Sequence, residues 1–164
     1  MSQTHHPRGS IPRVRHARPP HDDVPAAELD LGDLVMRVAR TLRRRGTAAY
    51  EPYELAPHQA RALRVVGHHG TMRLGELAQH LRVAPRSVTD VVDALEERGL
   101  VARSPDPTDR RAQVVGLTEE GQALLTRVDA ARRAEADGYF ARLPERDRAA
   151  LRRILERLER AGEP

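Results

Sequence analysis

Apolar residues recur along most of this chain at intervals of three and four, which is the spacing of amphipathic helices. These stripes predict helices over residues 30–46, 57 to about 66, 75–81, 85–98 and 118 to about 136, with a last helix from Pro144. Gly46, Gly99 and Gly138 are expected to end or interrupt three of them, because glycine tolerates the backbone angles found at helix ends.

Strand-like alternation is confined to two places. Met72 and Leu74 flank Arg73 as in a very short strand, which needs a later hairpin to pair with. Residues 100–101 and 112–117 predict that hairpin, and the turn-rich sequence SPDPTDRR between them predicts a projecting loop. The stretch from Leu74 to Leu117 thus holds a short helix, a tight turn, a longer helix and a hairpin, which is the order of a winged helix-turn-helix.

The second helix of this unit has the dimensions of a DNA recognition helix. About fourteen residues at 1.5 Å each give about 21 Å, enough to cross a major groove. Its core face is predicted to hold Val88, Val91, Val92 and Leu95, and the opposite face holds polar residues: Arg86, Ser87, Thr89, Asp90 and Asp93. Arg86 can pair with guanine O6 and N7, although an ordinary solvated helix face is the competing interpretation.

The hairpin is expected to carry Arg110 and Arg111 at its tip. Asp109 and Arg111 lie two residues apart, on the same side of an extended chain. The carboxylate can therefore hold one arginine in place while another reaches a minor groove, whose negative potential attracts arginine. A charged loop tip that serves only solubility is the alternative.

Overall charge adds a constraint to this interpretation. The formal net charge is +4 and the isoelectric point about 10.5, a balance that favours a polyanionic partner. Residues 71–117 nevertheless hold seven arginines and seven acids. Any basic surface that faces DNA must therefore arise by segregating the two charges in space.

Composition narrows the remaining possibilities. With one Phe, three Tyr and no Trp, the core must consist mainly of aliphatic residues, which favours packed helices. The absence of Cys excludes disulfides and thiolate metal sites. No apolar run approaches the ~20 residues of a membrane span and no secretory signal is recognisable, so we expect a cytoplasmic location.

Residues 1–27 contain five Pro, four His and four Arg and almost no large apolar side chain. This composition predicts a disordered tail, because it cannot bury enough surface to offset the entropy of ordering. The tail is interpreted either as a basic arm that touches phosphates or as a solvated extension.

An enzyme is the main alternative from a different functional class. His68 and His69 are adjacent and cannot both point into one site from a regular helix, and His80 has no acid at a recognised metal-binding spacing. The sequence also lacks a phosphate-binding glycine loop and a nucleophile motif. We therefore expect no catalysis, no metal site and no cofactor. A winged helix used for protein contact, or as an architectural DNA-binding module without an effector, is the second alternative.

The helices outside the winged helix-turn-helix, over residues 30–46 and 118–161, carry apolar stripes that this small unit cannot cover by itself. We infer that they pair with a second chain as a homodimer. The chain is accordingly divided into a tail, 1–27, and a mainly α domain, 28–164, that contains the winged helix-turn-helix at 56–117 and its small β-hairpin wing.

At this point the sequence resembles the MarR (multiple-antibiotic-resistance regulator) family of bacterial transcription factors, over about residues 31–158. The matching motifs are PHQARAL, LGELAQHLRVAPRSVTDVVDALEERGLV and DPTDRRAQVVGLTEEG. The resemblance implies a homodimer with interleaved N- and C-terminal helices, two recognition helices on a pseudo-palindromic operator, and repression as the default outcome.

The resemblance also implies roles for individual residues. Major-groove contacts would come from Arg86, Ser87 and Thr89, and a minor-groove contact from Arg110 or Arg111, with Asp109 orienting the wing. Asp90 stands where many relatives have a basic or amide side chain. It would either accept a hydrogen bond from a cytosine N4 amine or hold Arg86 one helical turn away.

Members of the family often bind small anionic or phenolic effectors in a cleft between the dimerisation helices and the DNA-binding unit. Four residues fall near the expected region: Tyr50, Tyr53, His58 and Arg61. Purely structural roles for these four residues are the alternative.

Overall fold

The computed structural model describes residues 24–109 and 111–162. Within them the chain forms six α-helices, two 3₁₀ turns and three strands. The helices are α1 (Leu31–Ala48), α2 (Pro57–His69), α3 (Leu74–Leu81), α4 (Pro85–Glu97), α5 (Glu119–Phe140) and α6 (Glu145–Ala161). The strands are β1 (Met72–Arg73), β2 (Val101–Pro105) and β3 (Gln113–Leu117), and the 3₁₀ turns are Ala26–Glu28 and Glu51–Tyr53.

The three strands form one antiparallel sheet in the order β1, β3, β2. The hairpin register pairs Val101 with Leu117 at its base and Pro105 with Gln113 near its tip. The two-residue strand β1 adds to the other edge of β3, with Met72 opposite Val115. The expectation that such a short strand forms only by pairing with the hairpin is confirmed.

The hydrophobic core lies where α2, α3, α4, α5 and the sheet meet. Its most completely buried large side chains are Leu63, Leu77, Val88, Val92, Leu95, Val115 and Val128. Three of them, Val88, Val92 and Leu95, belong to the predicted core face of α4, and Val91 is half-buried beside them. Burial of one such side chain contributes about 1.5–3 kcal/mol, so the core fixes which face of α4 remains exposed.

Helix α5 begins directly after the hairpin, and its N-cap residue Thr118 forms two hydrogen bonds to the residues before β2 and one within the helix. The Thr118 hydroxyl accepts from the Gly121 amide at 3.0 Å, as expected of an N-cap, and donates to the Gly99 carbonyl at 2.6 Å. The Thr118 amide donates to the Leu100 carbonyl at 3.2 Å. Gly121 permits this approach, since a Cβ there would lie 1.9 Å from the Leu100 oxygen.

Three predicted helix ends are wrong. Helix α1 continues through Gly46 to Ala48, and Gly46 is buried in close contact with Arg132, whose Cγ would lie 3.3 Å from an added Cβ. Helix α5 continues through Gly138 to Phe140, followed by a further bond from the Ala141 amide to the Asp137 carbonyl. A glycine inside a helix costs only about 1 kcal/mol, which neighbouring helical turns can offset. Helix α2 likewise extends past Val66 to His69.

The expected disorder of residues 1–27 falls mostly outside the described residues, although Ala26–Glu28 forms a 3₁₀ turn. Large apolar side chains of two helices are exposed. In α1 they are Leu31, Val35 and Met36, and in α6 they are Ile154, Leu155 and Leu158. Among the helices of residues 24–109 and 111–162, none combines the length and apolarity that a bilayer crossing requires.

Replacing Gly121 by alanine should destabilise the fold by about 1–3 kcal/mol or more, because the new methyl group meets backbone that cannot rotate away. Gly138→Ala is the matched control in the same helix. No heavy atom lies within 4 Å of its added Cβ, so it should be neutral or stabilising by up to about 1 kcal/mol. Thermal unfolding at equal protein concentration measures both, and equal midpoints would contradict the packing argument.

Candidate functional site

Helix α4 has a well-defined N-terminus and an exposed polar face. Pro85 occupies the first turn, where its missing N–H costs no hydrogen bond, and Gly99 with φ of 69° ends the segment. Arg86, Ser87 and Thr89 are all exposed on the first turns. These are the positions from which a helix N-terminus placed in a major groove contacts bases and phosphates.

The turn between α3 and α4 is tight because Arg82 adopts left-handed backbone angles, with φ of 54°. Its amide donates to the Gln79 carbonyl at 3.1 Å, and the Val83 amide donates to the Ala78 carbonyl at 3.2 Å. These bonds close the end of α3 and fix the direction in which α4 leaves the turn.

Arg103 joins the hairpin to α4. Its guanidinium donates to the carboxylates of Asp93 and Glu96, and its amide donates to Glu96 Oε1 at 3.0 Å. The hydrogen bond to Asp93 is the main reason why the pKa of Arg103 is raised. Charge-assisted hydrogen bonds therefore connect strand β2 to helix α4.

Asp106 anchors the wing. Its Oδ1 accepts from the Thr108 hydroxyl at 2.6 Å and from the Thr108 amide at 2.7 Å, and its Oδ2 accepts from Arg73 Nε at 2.6 Å. The bonds from Thr108, followed by that from Arg73, hold the pKa of this buried carboxyl well below its usual range. Since Arg73 lies on β1, this network ties the loop end of the hairpin to the opposite edge of the sheet.

Asp109, the predicted wing-orienting residue, acts more locally. Its Oδ1 accepts from the Arg111 amide at 3.0 Å, and its carbonyl accepts from the Ala112 amide at 2.8 Å. The Arg111 side chain is exposed. Arg110 lies outside the described residues, so its assignment to the tip stays a prediction.

Three of the seven acids in residues 71–117 are thus bound to arginines inside the unit, namely Asp93, Glu96 and Asp106. Within the described residues, the guanidinium groups of Arg86 and Arg111 have no acidic partner, and Asp90 forms no ion pair with Arg86 although it is exposed one turn away. Internal acids thus engage Arg73 and Arg103, while Arg86 and Arg111 are exposed. Asp90 and Asp109 are exposed beside them, so a basic surface facing DNA stays a prediction.

Sequence reasoning missed Asp106, Arg73 and Arg103 as positioning residues. For Asp106 a signal existed, because an aspartate two residues before a threonine in a proline-rich turn is typical of an Asx turn. For Arg103 there was none, since its partners lie seven and ten residues earlier and meet it only once the hairpin folds back.

A cleft of about 690 Å³ lies between α2 and α5 and is flanked by His80 from the end of α3. Of the four predicted effector residues, only Arg61 lines it. Tyr50 is buried, and its hydroxyl accepts from Arg64 Nη2, a cleft residue, at 2.8 Å. Tyr53 is bound through its carbonyl to Arg98 at 2.9 Å, and His58 is exposed at the start of α2. The structure therefore does not gather these four residues into one site.

Histidines gather at the same cleft. The rings of His69 and His80 lie 4.2 Å apart at 31°, and that of His68 lies 4.9 Å from His69. Partial burial first, and then His80 and His68, lower the pKa of His69. Across the part of the chain that the structure describes, no three His, Cys, Asp or Glu residues are arranged to hold a metal ion.

Comparison with known proteins decides the family. A family model described as "MarR family" matches residues 55–112. The HTH-type transcriptional repressor Rv2887 of Mycobacterium tuberculosis is 34% identical over 137 residues, which cover 84% of this chain and 95% of that protein. This chain belongs to the MarR family. The repressor MdtR of Bacillus subtilis is 32% identical over 113 residues, covering 69% of this chain and 73% of MdtR.

Solved structures agree with this assignment. The crystal structure of the M. tuberculosis MarR family protein Rv2887 superposes with a TM-score of 0.67 at 32% identity, covering 82% of this chain and 97% of that one. That of M. tuberculosis Rv1404 gives 0.72 at 27% identity, covering 86% and 100%. The winged helix-turn-helix is confirmed, and the chain is a DNA-binding transcriptional regulator whose relatives are regulators rather than enzymes.

Low pH should weaken the hydrogen bonds that Asp106 accepts in the wing of this MarR protein. Because the folded pKa of Asp106 is lowered, its stabilisation is complete above the ordinary carboxyl pKa of about 3.9 and is lost as pH falls below it. Asp106→Asn should lower the thermal midpoint at neutral pH, and its difference from wild type should shrink between about pH 5 and about pH 2.5. The exposed-acid control Asp90→Asn should keep the wild-type profile. A constant difference for Asp106→Asn across this range would contradict the role of its charge.

Proposed function

We propose that this MarR protein is a homodimeric repressor that binds a pseudo-palindromic operator and is released from it by a small-molecule effector. The observation that carries the proposal is that Arg73 and Arg103 are paired with acids inside the unit, whereas the guanidinium groups of Arg86 on α4 and Arg111 on the wing are exposed without an acidic partner among the described residues. Residues 56–117 form the DNA-binding unit in this proposal, and residues 30–46 and 118–161 form the dimerisation helices.

Helix α4 enters the major groove in this arrangement. Arg86 has the donor geometry to bind guanine O6 and N7, and the small hydroxyl side chains Ser87 and Thr89 let the backbone approach phosphates. The wing then reaches the neighbouring minor groove with Arg111 or Arg110. Asp90 is available to accept from a cytosine N4 amine, because it is not paired with Arg86.

Dimerisation is supported by the exposed apolar side chains of two helices. Leu31 is 75% exposed in α1, and Leu158 is 62% exposed in α6. Such stripes on helix surfaces are typical of contact with a second chain. A two-fold dimer would place two α4 helices about one DNA turn, or roughly 34–36 Å, apart on one face of the duplex.

Repression is supported by the relatives, since Rv2887 and MdtR are both named HTH-type transcriptional repressors. In this proposal the effector binds in the cleft between α2 and α5. This cleft borders both α3, which precedes the recognition helix, and α5, which follows the wing. A ligand there can change how the two copies of the DNA-binding unit are oriented.

Arg86→Ala should cost about 1–3 kcal/mol of discrimination at one base position of each half-site. Arg111→Ala should instead weaken binding at the half-site edges, where the wing contacts the minor groove. Fluorescence anisotropy on single-base operator variants measures both, with Arg153→Ala on α6 as the control. If Arg86→Ala weakens binding equally on every sequence, the residue contacts phosphate and the base assignment is wrong.

Leu158→Asp should weaken dimerisation at least about tenfold, because burial of a leucine contributes about 1.5–3 kcal/mol and a carboxylate cannot replace it. Arg157→Asp places the same side chain on the adjacent position and is the control. Sedimentation equilibrium at micromolar concentration checks both variants. A monomeric wild-type protein under these conditions would contradict the proposed dimer.

A further inference from the structure

The cleft between α2 and α5 carries more positive charge than its own acid can neutralise. Three arginines line it, Arg61, Arg64 and Arg133, and Asp129 is the single carboxylate among its described lining residues. Asp129 already faces Arg64 Nε at 3.4 Å and Arg132 Nε at 3.8 Å. The negative charge of Asp129 is therefore already paired with Arg64 and Arg132.

The other two cleft arginines have no acidic partner. Arg61 donates only to the His80 carbonyl, at 3.3 Å, which is a neutral acceptor. Arg133 forms no hydrogen bond or ion pair within the described residues, and its side chain is exposed to the cleft. An anion between them would gain charge-assisted hydrogen bonds from both guanidinium groups without displacing an existing ion pair. One negative charge would leave the pair half neutralised, whereas two would balance it.

The positive charge of the cleft also depends on whether His69 is protonated. His69 and His80 stack at 4.2 Å, so a proton on one ring opposes a proton on the other. The charged or titratable groups that line the cleft around them are His68, Arg61 and Arg64 from α2 and Asp129 and Arg133 from α5, so all but one are basic. Protonation is unfavourable in the empty cleft, in keeping with the lowered pKa of His69. A bound anion instead favours the protonated form of His69, because it lies close to the positive ring.

Apolar side chains complete the lining. Val65 and Leu125 form part of the wall between the two helices. They offer contact to carbon atoms rather than to water or ionic groups, which favours an organic anion over an inorganic one.

We infer that the cleft binds a small organic molecule with at least two negative charges, and that this binding adds a proton to His69, whose ring lies against that of His80. The inference rests on the proposed function only for its consequence, release of DNA. The binding itself depends on the charges of the cleft. Arg61 on α2 donates to the His80 carbonyl on α3. A dianion bound to Arg61 therefore acts directly on the contact between α2 and α3, the helix that precedes α4.

Calorimetry of the full-length protein tests the charge requirement with two matched ligand pairs, phthalate against benzoate and succinate against propionate. All four compounds are fully ionised at about pH 7 to 8, so they differ in charge rather than protonation state. The dianion of at least one pair should bind about tenfold or more tightly than its monoanion. Equal affinities within both pairs would overturn the inference.

Variants test which residues supply the charge. Arg133→Gln should weaken dianion binding about tenfold and leave monoanion binding nearly unchanged. Arg127→Gln removes the same charge from an exposed position of the same helix outside the cleft lining, and it should bind the dianion as wild type does. Equal loss in both variants would show a diffuse charge effect and would overturn the site.

Proton uptake is measured by repeating the titration in two buffers of different ionisation enthalpy. Uptake of up to about one proton should tighten dianion binding as pH falls from about 8 to about 6.5, by no more than about tenfold per pH unit. The double variant His69→Gln, His80→Gln should bind the dianion without this dependence. Dianion binding without proton uptake in the wild type would overturn the histidine part of the inference.

A parallel titration of the operator complex separates this inference from the proposed function. A dianion that binds the cleft but leaves DNA bound supports the site and contradicts its role as an effector site. Release of DNA by an uncharged or singly charged compound that binds the cleft, with no binding of either dianion, supports the regulator and overturns the inference.

Discussion

Internal pairing of charges in the winged helix-turn-helix determines what this MarR protein can present to DNA. Its arginines and acids are equal in number over residues 71–117, so net charge alone gives no attraction to a phosphate backbone. The Arg103 contacts to Asp93 and Glu96 and the Arg73 contact to Asp106 use acids for internal bonds. Arg86 and Arg111 are exposed on the same unit. In the proposed function, specific recognition depends on these few side chains.

The same ion pairs also make the unit rigid. Arg103 holds β2 against α4, and Asp106 holds the loop end of the hairpin to β1 through Arg73, so helix and wing are fixed relative to each other. Charge-assisted hydrogen bonds suit this task because their geometry is directional and their partners lie on different elements. In the proposed dimer, affinity for an operator would depend on the spacing of two such units, which the apolar helices α1 and α6 would set. The proposed effector would release DNA by changing that spacing.

The elements of the fold could be predicted because each has a local signal. Pro85 and Gly99 mark α4, and Thr118 marks the start of α5. The errors at Gly46 and Gly138 arose because glycine is compatible with both a helix end and a helix interior. Gly46 packs closely against Arg132, whereas no packing contact accounts for the continuation of α5 through Gly138. The partners of Arg103 and the gathering of His69 with His80 depend on tertiary contacts. Residue spacing alone therefore could not reveal them. For the same reason it could not show that, of the four predicted effector residues, only Arg61 lines the cleft between α2 and α5.

Recognition of an operator is proposed to be specific and not a consequence of bulk charge. Selection of bound sequences from a random duplex pool tests this, followed by comparison of affinity for the selected site with affinity for a shuffled duplex at about 150 mM salt. A pseudo-palindromic site should be selected and bound at least about 10³-fold more tightly than the shuffled duplex. Equal affinities, with no sequence enriched from the pool, would contradict it.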